Sequence, residues 1–275
     1  MLTQDPFATA AALLPGAFLK VYLVVMILAV ILGTLFDMAH KGSAQYFFAN
    51  MRKAKAKRKR ELSGGELASI ALQTAVVDVM TSGEFCNPRR RIAHLLTMYG
   101  FVIYLVTTCL MVFAYDTPAT PAPAIVPQLW WIGGLMVLLG GYWFWFFIRV
   151  DVAAEGHSPL RFVKADLFIV SMLVSVTLGL IWAGTGGGAG WLFWLYLLAT
   201  AVLFLGVPWS KFAHMFFKPT AAFEKRVTRA DGTAENLPTQ TRDDPEQQKR
   251  HSMELLRDAP MDMGLGIKRE APRHY

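Results

Sequence analysis

Five long apolar runs constrain the fold of this chain more than any other feature. Each run is long enough to cross about 30 Å of hydrocarbon as a helix. Apolar residues make up 54% of the chain and charged residues 17%, a balance more apolar than that of a typical soluble domain. The runs occupy residues 16–36, 94–115, 128–150, 165–184 and 190–214. The sequence therefore predicts an all-α integral membrane protein built as a five-transmembrane-helix bundle.

The Lys and Arg residues between the apolar runs predict the orientation of the bundle. Eleven lie in 37–93, two in 151–164 and twelve in 211–275, whereas 116–127 and 185–189 contain none. Cytoplasmic connections of membrane proteins carry the excess of Lys and Arg. We therefore expect a multi-pass protein of the cytoplasmic (inner) membrane, with its N-terminus outside and its C-terminus in the cytoplasm.

These patterns divide the chain into four parts. Residues 1–36 hold the N-terminus and the first membrane helix, and 37–93 form a basic cytoplasmic loop with amphipathic helices. Residues 94–218 carry helices two to five, and 219–275 form a polar cytoplasmic tail. The tail cannot bury enough apolar surface to fold as a domain, and only its segment 246–258 has a helical pattern.

The net charge of +7 lies mostly beside the predicted membrane helices, which argues against a nucleic-acid partner. The basic run 51–62 follows the aromatic residues Tyr46, Phe47 and Phe48. This pattern is typical of an interfacial helix that binds anionic lipid, and it is also compatible with a dock for an acidic soluble partner. The next segment, Gly64–Met80, has apolar residues at helical spacing, so we expect a second amphipathic helix beneath the partner site.

Two histidines near the cytoplasmic ends of different apolar runs are the strongest candidates for a functional site. His94 opens the second run and His214 closes the fifth, shortly before Lys218. An ionisable side chain in a membrane helix is expensive and usually faces the bundle interior. Two imidazoles on opposite faces of a haem iron leave no open position, which favours electron transfer over oxygen chemistry. The alternatives are two interfacial histidines without a ligand, or a role for His40, which follows the first helix.

The two cysteines limit the redox chemistry of the chain itself. Cys86 and Cys109 are far apart in the sequence, and no CxxC spacing is present. Because an iron–sulfur cluster requires about four thiolates, any cluster must belong to a partner. Cys109 is interpreted as a small buried hydrophobe, and Cys86 as a spectator thiol or a contact with a partner.

The sequences around the two histidines resemble those of a known family. RRRIAHLLTMYGFVIYLVTT around His94 and VPWSKFAHMFFKP around His214 resemble the second and fifth helices of the membrane cytochrome b family of respiratory nitrate reductase gamma subunits. The likeness covers about Gly16–Pro219. It is greater to the sulfur-metabolism branch of that family, which includes membrane anchors of dissimilatory adenylylsulfate reductase. The resemblance implies that His94 and His214 are axial ligands of a cytoplasmic-side b-type haem.

The resemblance also bears on the number of haems. Family members with two haems carry a second histidine pair deeper in the same helices, and this chain has Tyr104 and Tyr196 at about those offsets. We therefore predict one haem b. Arg91 and Lys211 each lie three residues from a predicted ligand and are possible contacts for the haem propionates.

The function implied by the resemblance is a membrane anchor that passes electrons between a soluble oxidoreductase and the quinone pool. The docked enzyme would be adenylylsulfate reductase with its flavin and iron–sulfur subunits. The quinone site is not located, and Tyr99, Trp209 and Ser210 are candidates by position alone.

Two alternatives to this function come from different classes of protein. The first is a haem-free scaffold that only recruits the soluble enzyme. The second is a small transporter, which would need ionisable groups near the bilayer midplane or an inverted repeat, and neither pattern is seen. The glycine-rich stretch 184–190 is interpreted as a tight turn between two helices.

Overall fold

The computed structural model describes residues 2–40, 43–83, 85, 87–115, 117, 119–153, 156–210 and 214–234. Helices account for 76% of the structure, and the described residues form no strand. The predicted all-α class is confirmed. The helices are α1 Pro6–Ala11, α2 Phe18–His40, α3 Ser43–Ala56, α4 Gly64–Gln73, α5 Pro88–Phe113, α6 Ile125–Trp143, α7 Val150–Ala153, α8 Leu167–Gly184, α9 Trp191–Leu205 and α10 His214–Ala230.

Two of these helices continue as π-helices. Thr74–Met80 follows α4, and Phe144–Ile148 follows α6. Short 3-10 turns occupy Lys164–Asp166 and Val207–Trp209. The continuous helical segment from Gly64 to Met80 confirms the helix that the sequence predicts there.

The chain folds into two compact units. The first, which we call the bundle unit, comprises Met1–His40, Ile92–Phe146 and Pro159–Ala213. The second comprises Lys41–Arg91, Phe147–Ser158 and His214–Tyr275, and we call it the polar unit. The bundle unit contains most of the long apolar helices, whereas the polar unit contains α3, α4, α7 and α10.

Among the described residues, four helical segments are long and apolar enough to cross a membrane. They are Phe18–His40, Pro88–Phe113, Ile125–Ile148 and Leu167–Gly184. On α2, large apolar side chains such as Val21, Leu28 and Leu32 lie on the surface, where hydrocarbon would solvate them. These features define a membrane protein. The fifth apolar helix, α9, has 15 residues and spans about 22 Å, which is shorter than a typical hydrocarbon core.

The fifth apolar run does not form one helix to its end, which corrects the sequence prediction for 190–214. The helix α9 ends at Leu205, and Val207–Trp209 form a 3-10 turn. Pro208 has no N–H to donate to a continuing helix, so the run of apolar residues outlasts the helix. His214 is therefore the first residue of α10 and not the last residue of α9.

Close packing in the bundle unit depends on paired glycines of α6. Gly133 and Gly140 face α5, whereas Gly134 and Gly141 face side chains of α8. A Cβ built on Gly133 would lie 2.7 Å from the backbone nitrogen of Tyr104. These glycines allow the helix backbones to approach closely, as small residues do in membrane bundles.

The turn between α8 and α9 also depends on glycine. Gly186 and Gly187 have φ values of +101° and +73°, which other residues rarely adopt. The predicted tight turn in 184–190 is confirmed.

The helix α10 corrects the prediction that the segment 219–275 has no helix before 246. It runs to Ala230 and contains Pro219 in its interior. The guanidinium of Arg226 donates to Asp78 at 2.6 and 2.9 Å, and the Arg60 side chain donates to the carbonyl of Ala230 at 2.8 Å. Contacts between distant segments therefore stabilise a helix that its own sequence does not reveal. The predicted helix 246–258 lies outside the described residues.

The basic segment after α2 is helical over a different range from the one predicted. The helix α3 runs from Ser43 to Ala56, so the predicted interfacial helix 51–62 ends earlier. The chain then leaves the helix, and the backbone amides of Lys59 and Arg60 donate to the carbonyl of Asp231. After Ala56 these backbone amides therefore bond to the residue that follows α10, and not to carbonyls of a continuing helix.

Candidate functional site

His94 lies on α5, and its surroundings are determined by the start of that helix. The side chain of Asn87 accepts hydrogen bonds from the backbone amides of Arg89 and Arg90, at 3.0 and 3.3 Å, and Pro88 is the first helical residue. An Asn cap followed by Pro is a strong local signal for a helix start. This cap sets the first residue of α5, and His94, in the second turn of the helix, is half-buried.

The residue before His94 lies at a close helix contact. Ala93 is fully buried, and a Cβ on Gly140 of α6 would lie 2.6 Å from its carbonyl oxygen. The hydroxyl of Thr97 donates to the same carbonyl at 2.8 Å. His94 thus sits on a stretch of backbone that has little freedom to shift.

The second predicted ligand, His214, begins α10 in the polar unit. Its side chain lies outside the described part of the structure. His94 belongs to the bundle unit, so the predicted pair draws on both units, and the pairing stays a prediction.

Of the two residues predicted to contact the haem propionates, the structure describes only Arg91. The Nε of Arg91 donates to the carbonyl of Thr81 at 2.7 Å, within the polar unit. Lys211 lies outside the described residues. The role of both residues at a haem stays a prediction.

Two further arginines of the polar unit were missed by sequence reasoning. Arg149 is only 5% exposed, and Arg90 donates from Nη2 to the carbonyl of Ile148 at 3.4 Å. Buried cations occur where anionic or polar groups compensate for lost hydration. The only sequence signal was the position of Arg149 at the end of a long apolar run, which an ordinary interfacial anchor would share.

Further along α5, Tyr104 and Tyr196 meet inside the bundle unit. The hydroxyl of Tyr104 donates to that of Tyr196 at 3.4 Å, and both side chains are buried. Trp130 stacks on Tyr104 at a centroid distance of 4.8 Å, and Trp182 stacks on Tyr196 at 5.5 Å. Phe7 of α1 contacts both indoles. We call these five residues the aromatic cluster.

The polar atoms of the aromatic cluster have partners nearby. The indole of Trp130 donates to the hydroxyl of Thr108 at 2.9 Å, and that of Trp182 donates to the carbonyl of Gly188 at 2.7 Å. A Cβ at Gly179 would collide with the hydroxyl of Tyr104, so glycine leaves room for the tyrosine pair. Hydrogen bonds within the cluster and to neighbouring residues thus hold its aromatic rings in place.

A small cavity of about 40 Å³ adjoins the tyrosine pair. Among the groups that line it is the hydroxyl of Tyr22, which donates to the carbonyl of Leu197 at 2.7 Å and shares a 2.5 Å hydrogen bond with Thr200. This volume can hold water but is far below the roughly 300 Å³ at which ligand pockets begin. The side chains present at this level therefore do not fit a haem.

The three residues suggested for a quinone site differ in their solvent exposure. Tyr99 is 38% exposed on α5, while Trp209 is 73% exposed and Ser210 is 9% exposed after α9. Cys109 lies on α5 and is half-buried, not buried as predicted, and Cys86 lies outside the described residues.

The fold and these residues define an all-helical membrane protein with a second, charged helical unit. A sequence family described as citrate utilization protein B matches residues 66–235, which is more than half of the chain. The chain therefore belongs to the citrate utilization protein B family. The matched range includes His94, His214 and α10. No curated protein and no solved structure matches the chain.

Proposed function

We propose that this protein anchors a soluble cytoplasmic oxidoreductase to the inner membrane and passes electrons between that enzyme and the quinone pool. The observation that carries the proposal is the placement of His94. Its imidazole is half-buried on a membrane-spanning helix, beside the tight contact of Ala93 with Gly140. An ionisable group in such a position marks a functional site by default.

The proposed topology has five crossing helices, with the N-terminus outside and the C-terminus in the cytoplasm. The distribution of Lys and Arg supports this orientation. The fifth crossing is α9, and the bilayer accommodates a short helix by local thinning.

The donor chemistry of His94 and His214 fits a b-type haem. Bound by two imidazoles, this group supplies one-electron exchange and has no open position for oxygen. In this proposal His94 and His214 hold the iron, and Arg91 and Lys211 bind the propionates. The bonded tyrosine pair at 104 and 196 supports a single haem, because the aromatic cluster occupies the space that a second haem would need.

The proposed partner is an enzyme with flavin and iron–sulfur subunits, like adenylylsulfate reductase. The resemblance around the two histidines supports this choice. The family match favours a second candidate, a soluble oxidoreductase of citrate utilization. In both cases α3, with its aromatic and basic residues, binds anionic lipid. A haem-free scaffold that only recruits the enzyme is the alternative for the chain itself.

A quinol titration tests the proposal. The full-length protein is placed in liposomes, decylubiquinol or a menaquinol analogue is added, and the absorption of reduced b-type haem is recorded. We expect reduction in the wild type and no haem signal in His94→Ala. His40→Ala is the matched control, because His40 is exposed at the end of α2, where it stacks on Phe36.

Failure of quinol to reduce haem in the wild type would contradict the relay. A haem signal that persists in His94→Ala but disappears in His40→Ala would show that His40 of α2, and not His94, binds the haem. A folded wild type that lacks haem but is still attached to its soluble partner would contradict the relay and support the haem-free scaffold.

A further inference from the structure

An open groove lies within the polar unit, between α4 with its π-helical continuation and α10. Its volume is about 300 Å³, within the range of sites that take a ligand group. We call it the α4–α10 groove. The residues that line it include Ala71, Thr74, Ala75 and Val79 on one side and Pro219 and Phe223 on the other.

The walls of the α4–α10 groove are fixed. The ion pair between Asp78 and Arg226 joins the π-helix to α10, and its side chains are only 12% and 24% exposed. The hydroxyl of Thr74 donates to the carbonyl of Ile70 at 2.8 Å, so this polar atom is already bonded. The groove therefore presents mainly carbon atoms on a held scaffold.

The apolar surface continues beyond the groove. Leu72, Val76 and Met80 are 65%, 42% and 53% exposed, and each follows a groove residue by one position. Their spacing of four places them on one face of the helical segment, next to the groove. A contiguous exposed apolar surface of this kind marks a contact with a protein or with a membrane.

The sequence of this segment favours a protein. Residues 62–85 contain no Lys, Arg, Trp or Tyr, the residues that hold helices at a membrane surface. The helix α3 has both kinds, so the chain already has an interfacial helix of the usual composition. Ala71 and Ala75 are small, and small side chains let the backbone of a second helix approach.

The charge around the groove sets the chemistry of the partner. Residues 43–61 carry seven Lys and Arg and one acidic residue, Glu61. The backbone amides of Lys59 and Arg60 donate to Asp231, so this basic run meets the end of α10. On α10, Lys218, Lys225 and Arg229 add further cations, against one acidic residue, Glu224. Complementary charge steers association, so the partner surface should be acidic.

We propose that the α4–α10 groove docks an acidic amphipathic helix of the soluble oxidoreductase. A large apolar side chain of that helix fills the groove, a second covers Leu72 and Val76, and its Asp and Glu residues face the cations. This inference rests on the proposed function, because it names the surface through which the proposed partner binds.

A binding measurement with two tryptophan variants tests the groove. The full-length protein is held in nanodiscs of neutral lipid, and purified soluble adenylylsulfate reductase is the probe. Ala75→Trp fills the groove. The control Val77→Trp adds the same side chain at a position that is 38% exposed and does not line the groove. Val77 is one residue from Val76 and two from Ala75, so it shares a face with neither. We expect Ala75→Trp to weaken binding at least about tenfold, and Val77→Trp to stay within about twofold.

Two Glu variants provide a second test in case Ala75→Trp disturbs the folding of the protein. Ala71→Glu adds an acid to the groove, and Val77→Glu adds it at an exposed position outside the docking surface, with little added bulk. If Ala75→Trp lowers the melting temperature, this second pair decides. Only Ala71→Glu should weaken the binding of an acidic helix.

The outcomes separate the groove from the proposed function. If the reductase binds equally well to the wild type, Ala75→Trp and Ala71→Glu, the groove is not the docking site, and the proposed anchor function is unaffected. If the reductase does not bind the wild type at all, the proposed partner is wrong, and the proposed docking site is overturned with it. A fluorophore on Ala75→Cys, with Cys86 and Cys109 replaced by Ser, tests for lipid. Strong quenching by brominated lipid would mean that lipid fills the groove and would overturn the proposal.

Discussion

The bundle unit and the polar unit are held together in different ways. Inside the bundle unit, glycines bring helices into contact, and the half-buried hydroxyl of Tyr22 and the buried hydroxyl of Thr108 are bonded to nearby groups. The polar unit relies on an ion pair, a capped helix and side chains bonded to distant carbonyls. It also leaves a groove open. The bundle unit is thus closely packed, whereas the polar unit leaves an apolar surface open to a partner.

The largest predicted effect concerns backbone contact in the bundle unit. A Cβ on Gly133 would lie 2.7 Å from the nitrogen of Tyr104 and 2.8 Å from the carbonyl of Gly100, both rigid backbone atoms. We expect Gly133→Ala to destabilise the protein by about 3 kcal/mol. Thermal unfolding in detergent measures it. Gly16→Ala is the control, because nothing lies within 4 Å of that position. Equal melting temperatures would contradict close packing of α5 and α6.

The next effect concerns the ion pair of the polar unit. Removing Asp78 leaves the partly buried guanidinium of Arg226 without its bidentate partner. We expect Asp78→Ala to destabilise α10 by about 2 kcal/mol. Hydrogen exchange should then quicken in α10 and stay unchanged in α8. A double-mutant cycle with Arg226→Ala measures the coupling, and a coupling near zero would refute this contact.

A smaller effect concerns pH and α1. The Asp5 carboxylate accepts from the amides of Phe7 and Ala8, yet burial raises its pKa from 3.8 to about 6. A raised pKa favours the neutral acid in the folded state, so this residue destabilises the fold increasingly as pH rises from about 4 through 6. Asp5→Asn keeps the acceptor oxygen without the charge.

We therefore expect Asp5→Asn to be more stable than the wild type by about 1 kcal/mol at pH 7, a value reduced because the group is partly solvated. The difference should vanish near pH 4. Melting temperatures at both pH values measure it. A variant that is less stable than the wild type at pH 7 would show that the charge itself stabilises α1.

The smallest effect concerns the tyrosine pair. Tyr104→Phe removes the hydroxyl that donates to Tyr196 but keeps the ring that stacks on Trp130. Hydrogen bonds inside membrane bundles contribute about 0.6 kcal/mol on average, so we expect a loss of that size. Tyr46→Phe, at a residue 72% exposed, should have no measurable effect. A loss of several kcal/mol would show that the hydroxyl supports more than one neighbour.

The sequence predicted the membrane helices better than the polar unit, for a physical reason. Hydropathy fixes where a helix can cross lipid, and four observed helices overlap the predicted runs. It does not fix where a helix ends, so the turn at Pro208 was missed. The helix α10 was missed because its stability comes from Asp78, 148 residues away from Arg226, and short helices depend on such packing.

The same distinction applies to the candidate site. His94 lies on a membrane helix, as its apolar neighbours indicated. The offsets of Tyr104 and Tyr196 singled out both residues, but only the fold shows that they bond to each other beneath two indoles. Arg149 was missed because burial of a single cation depends on tertiary contacts.

We propose that the protein holds one haem between His94 and His214 and none beside Tyr104 and Tyr196. A pyridine haemochrome assay on purified wild type, His94→Ala and His214→Ala counts the haem in each chain. We expect one b-type haem per wild-type chain and none in either variant. Two haems per chain, or one that survives both substitutions, would contradict it.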